Sequence, residues 1–198
     1  MAEANLLPIT DRSYGIIPIR LLPSISTSSA KLKPDTTNTE LLLINQKTLP
    51  RTGFPAETFW CFPKGHPEDL DESVQHTAIR ELFEETGLRI DISDLIPLYS
   101  KNGEKIKLRE RYMNPIRRQG KEVVYFVGLV RGEQELRLQE KEVAGARWVG
   151  WDEALEVVTF EEGREMLRGA REALGLGDGS SEVKDGVDGE DVGRGGES

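Results

Sequence analysis

One cysteine and two histidines in 198 residues leave little scope for sulfur or imidazole chemistry. Cys61 cannot form an intramolecular disulfide, and His66 and His76 are too few for a histidine-rich metal cage, so any metal here should have oxygen ligands. No apolar stretch reaches the length that a membrane span needs, and a soluble chain is expected. Basic residues number 26 against 35 acidic ones, a net charge of −9. That balance argues against a protein that neutralises nucleic-acid phosphate over its whole surface, and DNA is not an expected partner. Residues 1–13 show neither the basic and apolar regions of a secretory signal nor an Arg-rich transit peptide. The cytoplasm is therefore the expected location, with the nucleus open, and the length predicts one domain, expected as a monomer.

What is present divides into a core-forming part, residues 1–174, and a tail, residues 175–198, made largely of Gly, Asp, Ser and Glu. The tail has the composition of a disordered segment and carries −5 of the net −9, so the acidity is mostly not a property of the folded part. Branched and apolar runs predict strands at residues 14–22, 40–46, 58–62, 121–130 and 145–149. Residues 23–39, rich in Ser, Thr, Lys and Pro, read as an exposed loop, and residues 152–174 as one or two closing helices. Strands, helix, strands, helix is the order of an α/β (α+β) chain with a mixed sheet flanked by helices.

The informative segment is residues 65–88, GHPEDLDESVQHTAIRELFEETGL. A helix is expected from Asp71, which can cap its start, to Gly87, which offers the left-handed conformation that ends helices. Wound at about 100° per residue, Ala78, Ile79, Leu82, Phe83 and Thr86 share one arc, while Glu81, Glu84 and Glu85 fall on the neighbouring one. Like charges three and four residues apart destabilise a helix, so something positive should sit there. Mg²⁺ prefers oxygen ligands and is commonly held by one or two carboxylates together with substrate phosphate oxygens. Arg80 can pair with Glu84 or with Glu72 near the helix start, fixing the carboxylates in advance. An ordinary solvated acidic face is the alternative.

Spacing favours the metal. Arg80-Glu81-Leu82-Phe83-Glu84-Glu85-Thr86-Gly87-Leu88 resembles the second half of the Nudix box, whose pattern is Gly, five residues, Glu, seven residues, Arg-Glu-apolar-any-Glu-Glu-any-Gly-apolar. Glu72 stands seven residues before Arg80, but six residues separate it from Gly65, one more than the pattern. The resemblance implies the Nudix fold, a mixed β-sheet sandwiched between α-helices with a catalytic loop-helix-loop. It also implies hydrolysis of an organic diphosphate linkage with Mg²⁺ (or Mn²⁺) held by Glu81, Glu84 and Glu85, with the backbone at Gly65 completing the site. Glu72 and Gly87 would support the box.

Around the box, Trp60-Cys61-Phe62-Pro63-Lys64-Gly65-His66 is similar to the entry segment of the asymmetric diadenosine tetraphosphate hydrolases. Lys121-Glu122-Val123-Val124-Tyr125-Phe126, Glu135-Leu136-Arg137-Leu138 and Arg147-Trp148-Val149-Gly150 extend the likeness. Lys64 is a cation suited to a polyphosphate, and His66 either bonds a phosphate or holds the turn. The resemblance places on a loop Glu142, the candidate general base, with Glu140 its rival. Between Lys101 and Lys121 the balance is +6, which would steer an anionic substrate. Read as a loop, this segment lets a base stack on Tyr112, worth about 1 to 3 kcal/mol, while Arg109 and Arg111 hold phosphates. Lys121 and Tyr125 complete the candidate substrate contacts, Tyr125 also being a natural core residue.

The implied reaction is in-line attack of a metal-bound water on phosphorus, with Glu81, Glu85, Arg80 and Glu142 as catalytic residues, cutting a dinucleoside polyphosphate such as diadenosine tetraphosphate to ATP and AMP. The alternatives are a diphosphoinositol polyphosphate, an RNA 5' end or cap, and a non-catalytic Nudix module binding a nucleotide or protein partner.

Overall fold

Alternation of buried residues along the strands sorts the core onto two faces of one sheet. The computed structural model describes residues 8–22, 36–48, 57–114 and 119–176. Most of the expected loop at 23–39, and the tail from residue 177 onward, lie outside the described residues. The strands are β1 (Ile9–Leu21), β2 (Thr39–Lys47), β3 (Thr58–Cys61), β4 (Lys64–Gly65), β5 (Leu95–Ile96), β6 (Leu108–Asn114), β7 (Gln119–Leu129) and β8 (Val143–Val149). The helices are α1 (Val74–Thr86), α2 (Trp151–Val157) and α3 (Glu161–Ala173), with one short 3-10 turn at Ile92–Asp94.

Sheet order is β3-β2-β1-β7-β5, with β4 on β1, β6 on β7 and β8 on β2. β1 and β7 run parallel at the centre and the other pairs antiparallel, so the sheet is mixed as expected. Ile17, Ile19, Leu41, Leu43, Val123 and Val127 pack against Trp151, Ala154, Met166, Leu167 and Ala170 of α2 and α3. Their strand neighbours Ile16 and Leu42 point the other way, onto Ala78 and Leu82 of α1. Full burial of each such aliphatic side chain stabilises by about 1.5–3 kcal/mol, and this holds α1 in a fixed position on the sheet. Among the described residues no helix is long and apolar enough to cross a membrane.

Two local readings are corrected. Helix α1 begins at Val74, not near Asp71: Ser73 is its cap, accepting from the His76 N–H at 3.3 Å, because the Asp71 carboxylate is engaged elsewhere. Its other end is as expected, with Gly87 at φ 77° donating its N–H to Phe83 at 2.7 Å. The segment read as a basic loop contains strand β6, whose two-residue alternation is hidden because charged side chains occupy both faces. The closing segment, expected as one or two helices, is two, separated by Val158–Phe160, with α2 opening on Trp151.

Trp151 is buried and its indole N–H donates to Thr39 at 2.8 Å, tying α2 to the start of β2. Trp151→Ala should cost about 3–5 kcal/mol in urea unfolding, and Thr39→Val, which strands the indole donor, about 1–3 kcal/mol.

Candidate active site

Helix α1 lays its apolar arc on the sheet and turns its acidic arc toward the turn formed by Lys64, Gly65 and His66. Glu85 is only 2% exposed, and its carboxylate accepts from the backbone N–H of Lys64 at 3.0 Å. Burial pushes its pKa up to about 8; Lys64 opposes that shift, while Glu81 and Glu142 add to it. Glu81 is raised too, first by burial and then by Glu84 and Glu142, against the pull of Arg80. At Gly65 a Cβ atom would overlap the Glu81 carboxylate, so only glycine lets that carboxylate close against the backbone.

Arg80 organises the acids. It bonds Asp71 through Nε and Nη2, each at 3.1 Å, and reaches Glu81 at 3.0 Å, Glu84 at 3.1 Å and the carbonyl of His66 at 2.7 Å. The hydrogen bonds from Arg80 hold Asp71 down at about 2, and Asp71 in turn raises the arginine further. Of the two pairings expected for Arg80, that with Glu84 is formed and that with Glu72 is not. Glu72 is exposed and lies 3.9 Å from His76, while the pairing falls to Asp71. Asp71 follows Gly65 after five residues, so the extra residue lies between Asp71 and Arg80, not ahead of the acid.

Lys64 is half-buried, bonded through Nζ to the side-chain oxygen of Gln46, and 5.9 Å from the ring of Phe59. Burial works against its charge, but Cys61, Glu85, Tyr112 and Glu110 outweigh that and raise its pKa, so the ammonium is retained. Burial drives the neighbouring Cys61 thiol up to about 12, with Lys64 opposing the shift. His66 holds the turn, its Nε2 2.8 Å from buried Asp11, which also lies 3.6 Å from Lys121. Glu142 acts on both Glu81 and Glu85; Glu140 is exposed, its backbone carbonyl accepting from Lys47 Nζ at 2.5 Å.

Strand β6 sets the remaining candidates apart. Tyr112 pairs in register with Lys121, and burial raises its hydroxyl to about 12, with Lys64 close enough to oppose the shift. Arg109 and Arg111 do not flank Tyr112 on one side, because neighbours on a strand point to opposite faces; both turn to Glu122. Tyr125 is a core residue, 2% exposed, its hydroxyl donating to Glu110 at 3.3 Å. Sequence reading missed Asp71, Asp11, Gln46, Glu110 and the aromatic pair Phe59 and Phe160, whose centroids lie 5.4 Å apart with Phe160 53% exposed. Only Asp71 had a signal, its five-residue distance from Gly65.

Among the described residues no three His, Cys, Asp or Glu side chains stand around one point as a ready-made cage. Arg80 instead draws Glu81 and Glu84 to itself. The donor set nevertheless fits a hard divalent cation: all-oxygen side chains, a glycine that leaves its backbone bare beside Glu81, and a buried Glu85 whose charge lacks full compensation.

A family model described as NUDIX domain matches residues 32–169. The chain therefore belongs to the Nudix hydrolase family, although its central strand β1 precedes the matched segment. It is 36% identical over 116 residues to an asymmetrical bis(5'-nucleosyl)-tetraphosphatase of Rattus norvegicus, covering 58% of this chain and 71% of that protein. It is 34% identical over 134 residues to an RNA pyrophosphohydrolase of Pasteurella multocida, covering 62% of this chain and 65% of that one. In fold it is similar to a C. elegans Ap4A hydrolase binary complex, with TM-score 0.57, 20% identity, and coverage of 83% of this chain and 98% of that one.

Asp71 has a folded pKa of about 2 against 3.8, so its stabilisation is present above pH 3.8 and is lost as pH falls through 2. Asp71→Asn should cost about 2 kcal/mol at pH 7, with the deficit vanishing toward pH 2 in chemical unfolding curves, and Glu72→Gln should change little.

Proposed function

We propose that the chain hydrolyses a dinucleoside polyphosphate, diadenosine tetraphosphate to ATP and AMP, with Mg²⁺ or Mn²⁺. The observation that carries this reading is buried Glu85 beside the bare Gly65 backbone and the retained cation Lys64, with Glu81 and Glu142 near enough to act on the charge of Glu85. The similarity to the rat tetraphosphatase supports the substrate class.

Glu81, Glu84, Glu85 and the Gly65 backbone would hold the cation. When bound, it neutralises phosphate charge and makes water a stronger nucleophile at neutral pH. The chain's own groups do the rest. Arg80, clamped by Asp71, sets the direction of Glu81 and Glu84 before substrate arrives. Glu142, on the loop facing Glu81 and Glu85, accepts the proton of the attacking water at its carboxylate. Lys64 neutralises one phosphate of the chain. Tyr112 on β6, and Phe160 backed by Phe59, offer aromatic faces near Lys64 for a nucleobase, with Tyr112 close enough to act on its charge.

Turnover of diadenosine tetraphosphate in water enriched in heavy oxygen should give ATP plus AMP, with label in one product. Glu85→Gln and Glu142→Gln should each lower kcat by at least about 100-fold with the fold intact. No turnover by folded protein, or two ADP, would sink the assignment. Tyr112→Ala and Phe160→Ala should raise KM for the dinucleotide. A diphosphoinositol has no base to stack, so faster cleavage of that substrate, unaffected by either change, would favour it instead.

The high pKa of Glu85 sets a further expectation. Its carboxyl titrates near 8 in the metal-free chain, so cation binding must release a proton. The Mg²⁺ concentration giving half-maximal rate should fall as pH rises from about 6 to 8; a pH-independent value would contradict a role for Glu85 in holding the ion.

A further inference from the structure

Three arginines converge on one carboxylate away from the Lys64 cleft. Glu122 on β7 lies in register with Arg111 on β6 and with Arg12 on β1. Arg109, two residues along β6, shares their face. Tyr112, Lys121 and the His66–Asp11 pair belong to the opposite face, because Tyr112 and Lys121 are register partners one residue displaced from Arg111 and Glu122.

Arg111 takes Glu122 in two contacts, 2.8 Å from Nε and 2.7 Å from Nη2. Arg12 and Arg109 stand farther off, at 3.5 and 3.8 Å. Among the described residues Glu122 is the ion-pair partner of each of these two. Burial would raise the Glu122 carboxyl, but the hydrogen bond from Arg111 and the three positive charges hold it below its usual range. One bidentate guanidinium is enough to satisfy a carboxylate. The other two repel it and each other, yet remain exposed with most of their donors unspent. The cluster keeps two positive charges beyond what Glu122 offsets, and exposed Lys107 lies just ahead of β6, while Glu162 and Glu165 of α3 line the groove that Arg109 and Arg111 border.

We propose that Arg12, Arg109 and Arg111, gathered on Glu122, form a binding site for a polyphosphate chain on the face of the sheet opposite Tyr112. The planar forks of the guanidiniums match phosphate oxygens, and the buried carboxylate holds Arg111 in place beforehand. The site needs no divalent cation and does not rest on the hydrolase reading. Its ligand is an anion of three or more linked phosphates, whether inorganic or carried by a nucleotide.

Calorimetric titration with inorganic tripolyphosphate and with ATP, both in the presence of a chelator, tests this. Both should bind with comparable affinity that drops steeply with salt, and Arg109→Gln/Arg111→Gln should weaken each at least tenfold. Arg131→Gln, at an exposed arginine outside the cluster, should leave both unchanged. Removing Arg111 deprives buried Glu122 of its bidentate partner, so Arg12→Gln and Arg109→Gln, which keep that pair, are titrated as well and should each weaken binding several-fold. No binding by the wild type, binding insensitive to the substitutions within the cluster, an equal loss in Arg131→Gln, or binding of ATP without tripolyphosphate would each overturn the proposal.

Discussion

The acidic face of α1 stands because one guanidinium holds it together. Glu81, Glu84 and Glu85 repel one another across a single turn, and Arg80 is the residue that touches two of them while anchored from behind by Asp71. The same side chain bonds the carbonyl of His66, so the glycine turn, the helix and the acid ahead of the helix are one unit. Remove the anchor and the arginine loses its direction, and with it the carboxylates lose theirs. An arginine suits the place because its fork spans several acceptors at once, which a lysine's point charge does not.

The sheet then decides which groups meet. The hydrophobic cluster of Ile16, Leu42, Ala78 and Leu82 fixes α1 relative to β1, and through Glu85 this brings the helix to the backbone of Lys64. Two kinds of positive charge result. Lys64 is pinned in a half-buried gap beside carboxylates and aromatic rings, whereas Arg12, Arg109 and Arg111 lie open on the other side of β6 and β7. Strand alternation makes that division, and it separates functions that a loop would have mixed.

How much of this was legible in the sequence depended on the range of the signal. Glu81, Glu84 and Glu85 could be placed on one face from helical periodicity, and Gly87 at the helix end from its conformational freedom, since both are local. The strands of β1, β2 and β7 were legible because their apolar runs are continuous, as buried central strands require. Strand β6 was not, because Arg109, Glu110 and Arg111 place charge on both faces and conceal the alternation. The choice between Asp71 and Glu72 as partner of Arg80 was also beyond local reading. Either acid can reach in principle, and the decision came from where Ser73 caps the helix. Asp11 and Phe160 carried no signal, since each reaches the site through contacts formed only when distant segments pack.

Glu81, Glu84 and Glu85, beside the bare backbone at Gly65, are the proposed site for a divalent cation. Anomalous diffraction from crystals soaked in Mn²⁺ tests it most directly. The account predicts a peak ringed by the Gly65 carbonyl and the carboxylates of Glu81 and Glu85, absent in Glu85→Gln. A peak elsewhere, or one that survives that substitution unchanged, would contradict it.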